Sequence, residues 1–385
     1  MSPQASGVED RAPGANADLP SRRSALGLFA GAAVAAPATA LAAGPALASD
    51  RPPAMTPAAL ADADLDLPSP SLRELAERRG LRIGTAIHDP AVFASPRYAA
   101  ILAREFSIVS PENVMKWDTV EPEHGLADFT AAEHIFLPTA ARNRQLVRGH
   151  NLVWHGQLPS WLSRTWTSAQ LASFVQAHVT DEVTAFRGRI FAWDVINEPL
   201  NEDGTLATNI WSTAVGPDYI ATALQWAHAA DPHARLYIND FNLEAIGPKS
   251  DAMYALVKGL QQRGIPIHGV GFQGHLDVRF PFPSGMAENL QRFAALGIDV
   301  AVTEADVRMP LPVTPAQLAT QTSYYSQMLS AYLTVPDPVS FTVWGFADAY
   351  SWVDGFFTGE GAATLFDKNL HPKPAYFALR DILTA

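Results

Sequence analysis

The chain has 385 residues, 48% of them apolar, and no cysteine, so a large core is available but no disulfide framework and no thiolate metal site. Its 27 basic and 39 acidic side chains leave a net charge of −12, which argues against nucleic acid and against anionic membrane surfaces as partners. A neutral or weakly charged substrate suits that balance.

Residues 1–48 contain Ser21-Arg22-Arg23-Ser24-Ala25-Leu26, a twin-arginine pattern. An Ala/Gly/Leu/Val run follows, and then Ala46-Leu47-Ala48, a small-residue cleavage signature. This predicts a twin-arginine signal peptide and a secreted protein, extracellular or periplasmic; the alternative is a disordered Ala/Pro-rich tail. Gly and Pro interrupt the apolar run, so a membrane span is not expected. Residues 49–70, rich in Pro, Ala and Asp, are expected to be a disordered linker. No composition break divides residues 71–385, which are read as one domain, expected to work as a monomer.

Within that domain apolar runs alternate with amphipathic stretches. Strands are predicted at 82–87, 106–110, 145–154, 190–196, 235–239, 267–273, 299–303 and 339–346. Helices are predicted between them, among others at 168–186, 218–230, 250–263, 284–296 and 315–333, with a last one at 374–383. Thr167 can cap one helix start, and Gly264 and Gly297 stand just past helix ends. Eight strand–helix units predict an α/β fold, a single (β/α)8 TIM barrel, with an open doubly wound sheet as its rival. No G-x-G-x-x-G or G-x-x-x-x-G-K-[ST] run opens a helix, which removes the usual nucleotide-binding reason for the open sheet.

In such a barrel, chemistry sits where strands end. Two strongly β-forming runs reach a carboxylate there: Trp193–Asn197 before Glu198, and Val300–Thr303 before Glu304. Glu198 alone could be solvating a loop, and Glu304 alone could belong to a buried ion network. Together they are what glycosidic-bond cleavage needs, one acid to protonate the leaving oxygen and one to attack or to activate water. His275 and Asp306 are candidates to hold Glu304 ionised, because a buried carboxylate needs partners. Other strand ends carry Glu112, Asn113, Lys116, His150, Trp154, Gln157, Asn197, Asn239, Asp240, Gln273, Trp344 and Trp352. The three indoles are either core aromatics or sugar platforms. The histidines lack metal-ligand spacing, and no G-x-S-x-G elbow exists, so neither a metal nor a serine nucleophile is expected.

These motifs resemble glycoside hydrolase family 10 endo-1,4-β-xylanases. The resemblance runs through Ser110-Pro111-Glu112-Asn113-Val114-Met115-Lys116-Trp117, Arg148-Gly149-His150-Asn151-Leu152-Val153-Trp154-His155 and the run from Trp193 to Glu198. It continues in order through 237–242, 269–275, 303–307, Ser351-Trp352 and Pro372-Lys373-Pro374-Ala375-Tyr376. It implies a retaining mechanism without cofactor or metal on xylan and xylo-oligosaccharides. Glu198 would be the acid/base and Glu304 the nucleophile, with His275 and Asp306 in support. By the same resemblance Glu112, Asn113 and Lys116 hold the non-reducing side of the substrate, and His150, Asn197 and Gln273 contact the reacting sugar. Gln157, Trp154 and Trp344 shape that subsite, and Trp352 covers it from a mobile loop. A related β-1,4-glucanase and a non-catalytic sugar-binding barrel are the alternatives. The chain departs from the family pattern at Phe241, where relatives often have Tyr, at Gly156, and at Asp354, where a looser loop over Trp352 is expected.

Overall fold

A computed structural model of the protein describes residues 65–88, 95–163 and 165–385. The expected signal peptide at 1–48 and residues 49–64 of the expected linker lie outside them. The end of that linker is tied to the folded body. Leu65 is buried, Arg97 donates to its carbonyl at 3.1 Å, and Arg104 donates to the Pro68 carbonyl at 2.7 Å.

In chain order the strands are β1 (Arg82–Ile87), β2 (Ile108–Pro111), β3 (Leu146–Val153), β4 (Ala192–Asn197), β5 (Arg235–Asp240), β6 (Gly269–Phe272), β7 (His275–Asp277), β8 (Asp299–Pro310), β9 (Ser340–Val343) and β10 (Glu360–Gly361). All except β7 and β10 pair side by side in parallel, and β9 returns to β1, so the sheet closes. This is the (β/α)8 barrel, and the open-sheet alternative is excluded by the β9–β1 pairing.

The helices are α1 (Leu72–Glu77), α2 (Pro96–Glu105), α3 (Trp117–Val120), α4 (Leu137–Arg142), which continues a π-helical turn, α5 (Ser168–Ala185), α6 (Ile210–Ala214), α7 (Tyr219–Ala230), α8 (Pro248–Gln262), α9 (Met286–Ala294), α10 (Pro315–Tyr332), α11 (Val353–Phe356) and α12 (Pro374–Thr384). Their starts are chemically marked. Ser71, Thr167 and Thr314 form capping boxes with Glu74, Gln170 and Gln317, and Pro opens α2, α8, α10 and α12. Strands buried on both faces read as continuous apolar runs, which is why the barrel was legible. Gly149 shows how tightly they pack: a Cβ there would fall 2.2 Å from the Trp193 ring.

Most strand bounds fall within a few residues of expectation, and two strands differ in their course. The run at 267–273 is cut short at Phe272, and after Gly274, at φ +80°, β7 begins as a separate strand. The run at 299–303 does not stop at Glu304 but continues to Pro310, because the protruding half of β8 pairs with β7 and β10. Exposure of a strand beyond the barrel rim would strand its backbone groups, and these two short partners satisfy them.

Candidate active site

Glu304 lies within β8 where the strand leaves the barrel. Its register against β9 shifts between Val302 and Ala305, which brackets this residue. The carboxylate is buried and fully engaged. Asn239 donates to its Oε1 at 2.7 Å, His275 Nε2 meets its Oε2 at 3.2 Å, and His150 Nδ1 stands 3.9 Å from Oε1. Asn239 is itself oriented by the Thr303 hydroxyl, which donates to its Oδ1 at 2.7 Å.

Behind these groups stands a layer of buried charge. His275 Nδ1 is 3.0 Å from Asp306 Oδ2, and the same oxygen accepts the Trp352 indole at 2.8 Å. His150 Nδ1 meets Asp194 Oδ2 at 3.0 Å, and Asp194 is paired with Arg148, whose Nε donates at 3.0 Å. Burial alone would push the Glu304 carboxyl up. The adjacent His150 and His275 outweigh it, and the carboxyl is held below its ordinary range. Burial likewise opposes charge on His275, but Asp306 and Glu304 overcome it and push the imidazole up to about 10. Glu304 is therefore an anion beside an imidazolium.

Glu198 is built differently. It follows β4 directly, past a register shift between Asp194 and Ile196, and its backbone is left-handed, with φ +56°. A glutamate in that region costs free energy and is kept there by its surroundings. Its N–H donates to the Asn239 carbonyl at 2.8 Å, and Pro199 turns the chain away. Among the described residues its side-chain hydrogen bonds come from neutral groups: Trp154 Nε1 at 2.8 Å, Gln273 Nε2 at 3.2 Å and Asn197 Nδ2 at 3.3 Å.

A bridge of amides joins the two acids. Asn239 Nδ2, bonded to Glu304, also donates to Asn197 Oδ1 at 2.8 Å; Gln273 Nε2, bonded to Glu198, reaches the same oxygen at 3.4 Å. Both glutamates therefore face one site.

Around them, the buried Lys116 ammonium donates to Gln157 Oε1 at 2.5 Å and Asn113 Oδ1 at 3.4 Å, and lies 5.2 Å from the Trp154 ring centre. Desolvation lowers its pKa against the pull of Glu304 and Glu112. Glu112 is joined to His88 at 3.0 Å. Trp344 is buried edge-on to His150, and Trp352 rests against His275 with ring centres 5.1 Å apart. All fourteen expected residues thus fall on this one end of the barrel or on the rim that frames it.

Three residues outside that expected set prove integral: Asn239, Asp194 and His88. Asn239 stood among the polar strand ends and Asp194 within the β4 run, but nothing in the spacing showed that their side chains turn toward Glu304 and His150. The departures also have definite settings. Phe241 lies under the Lys249 ammonium, 3.5 Å from its ring centre, and Lys249 is paired with Asp240 at 2.9 Å. A Cβ at Gly156 would stand 2.7 Å from the Trp154 ring, so a side chain there requires that ring to move. Asp354 accepts from Lys368 at 2.8 Å.

The family model for glycosyl hydrolase family 10 matches residues 71–382. Endo-1,4-β-xylanase B of Thermotoga neapolitana is 42% identical over 81% of this chain and 91% of its own length, and an endo-1,4-β-xylanase of Agaricus bisporus is 45% identical over 80% and 93%. Among solved structures, xylanase 10B of Thermotoga petrophila in complex with xylobiose aligns with a TM-score of 0.79 at 41% identity, covering 83% of this chain and 98% of that one. A closed barrel that sets two glutamates on one amide bridge, matched over nearly the whole domain, places this chain in glycosyl hydrolase family 10.

Proposed function

We propose that the protein is a secreted, retaining endo-1,4-β-xylanase in which Glu304 is the nucleophile and Glu198 the acid/base. The observation that carries this reading is the unequal hydrogen bonding of the two acids: Glu304 is held anionic with an imidazolium bonded to it, and the hydrogen bonds to Glu198 come from an indole and two amides. A Glu304 oxygen attacks the anomeric carbon as the bond to the leaving oxygen breaks, and the Glu198 proton goes to that oxygen. Water then attacks the same carbon, gives its proton to Glu198, and the ester to Glu304 breaks. Two inversions leave the configuration unchanged. Retention of this kind calls for carboxyl groups about 5–5.5 Å apart.

Asn113, Lys116, Gln157 and Glu112 provide the polar wall for the non-reducing sugars, and Trp154, Trp344 and Trp352 the aromatic surfaces of the reacting subsite. Xylan as substrate is supported by the names of the relatives and by the xylobiose bound in the Thermotoga petrophila enzyme. The twin-arginine pattern supports export, and cleavage after Ala48 in the secreted protein would establish it. No cofactor enters any step. Two measurements test the reading. Proton NMR of fresh hydrolysate should show the β-anomer first; initial α-product would refute retention. Hydrolysis of xylan should outpace that of a soluble cellulose derivative, and the reverse order would move the enzyme to glucans.

A further inference from the structure

Three buried rings stand in a column behind the end of β3. Trp117, at the start of α3, lies between His178 of α5, with ring centres 4.0 Å and planes 4° apart, and Trp211 of α6, at 5.1 Å and 11°. The two outer rings each direct an N–H at the backbone where β3 ends. His178 Nε2 meets the Leu152 carbonyl at 3.0 Å, and Trp211 Nε1 donates to the Trp154 carbonyl at 2.8 Å. Burial drives His178 down to about 3, so it is neutral at working pH, and its single proton belongs on the nitrogen that faces a carbonyl. Trp211 is fixed in turn by the cap of its own helix, where Asn209 Oδ1 accepts from the Trp211 and Ser212 backbone N–H groups at 2.9 Å.

Packing alone does not require both outer rings to bond the same stretch of backbone. The second of those carbonyls belongs to the residue that matters: Trp154, whose indole N–H donates to Glu198 Oε2 at 2.8 Å. The chain has left the regular strand at that point, so no ladder bond holds the Trp154 carbonyl in place. We infer that Trp211, with His178 and Trp117 behind it, is a positioning residue that fixes the Trp154 indole against Glu198 and so sets proton delivery to the leaving group. This rests on the reading of Glu198 as the acid/base.

The test uses leaving groups. A glycoside of a poor leaving group needs the proton from Glu198 in its first step, whereas a dinitrophenyl glycoside does not. Trp211→Phe keeps the stacked ring and deletes the N–H. Its kcat/KM on aryl xylobiosides with poor leaving groups should fall about tenfold, through kcat and not KM, while the dinitrophenyl xylobioside changes by less than about twofold. His178→Phe, which removes the donor to Leu152 and keeps a ring beneath Trp117, should show the same split at smaller size and serves if the first variant does not fold. Equal losses on both substrates, or no loss on either, would overturn the inference. Glu198→Ala separates the two readings. If it shows the split and the ring variants do not, only the positioning role fails; if it does not, the acid/base assignment itself fails.

Discussion

The two glutamates occupy one site but are held by opposite kinds of chemistry. Glu304 sits among His275, His150 and Asn239, and behind those stand Asp306, Asp194 and Arg148, an alternation of buried charges in which each carboxylate faces a cation. Glu198 meets two amides and an indole. A charged cage fixes one protonation state, since changing it would leave buried charge uncompensated. No cation is bonded to Glu198 among the described residues, and the proposed mechanism asks that residue to be an acid in one step and a base in the next. The division of labour between chemically identical residues is therefore made by their neighbours.

The largest effect should come from emptying the charged cage of its occupant. Glu304→Ala should lower kcat/KM by on the order of 10⁵-fold on every substrate, whatever its leaving group, because no covalent intermediate can form. Glu198→Ala should cost about 10²–10⁴-fold on xylan and far less on a dinitrophenyl xylobioside, and azide should restore turnover by attacking the intermediate directly. Steady-state rates across a leaving-group series check both; equal behaviour of the two variants would erase the contrast.

A smaller effect should come from His275→Gln, which removes one cation from the cage. The acid limb of kcat/KM should then move to higher pH, since Glu304 loses one of the partners that hold its pKa down. Stability should respond as well. His275 holds its proton more tightly folded than unfolded, so its contribution is complete below pH 6.5 and is lost as pH rises toward about 10. Denaturant titrations of the wild type should therefore weaken across that window more than those of His275→Gln, and parallel curves would contradict the assignment. The smallest effect belongs to Lys368→Ala at the exposed pair with Asp354, where the lysine side chain is 64% exposed. A surface pair of this kind contributes about 0–1 kcal/mol, so Tm and KM should scarcely move. A large rise in KM would instead show that the pair holds the segment carrying Trp352.

The barrel was legible because parallel strands covered on both faces must be apolar, and because long helices carry their own start and stop residues; Thr167, Gly264 and Gly297 stand where their chemistry requires. Short helices were less so. α4 is only six residues long, carries Pro138 in its first turn and follows a π-helical turn, so its periodicity is too brief to read. The two acids were visible because a carboxylate after an apolar strand is conspicuous. Their partners were not, because a strand's facing follows strict alternation only while its register holds. The register shifts at Asp194–Ile196 and Val302–Ala305 break it beside the two glutamates, so the direction of Asp194 and the cross-strand bonds of Asn239 depend on pairings that the chain does not spell out locally.

Trapping the glycosyl-enzyme reaches the central claim most directly. Incubation with dinitrophenyl 2-deoxy-2-fluoro-β-xylobioside, followed by peptide mass spectrometry, should find one fluoroxylobiosyl group esterified to Glu304, the anion in the charged cage. A label on Glu198, or full activity after exposure to the reagent, would contradict the account.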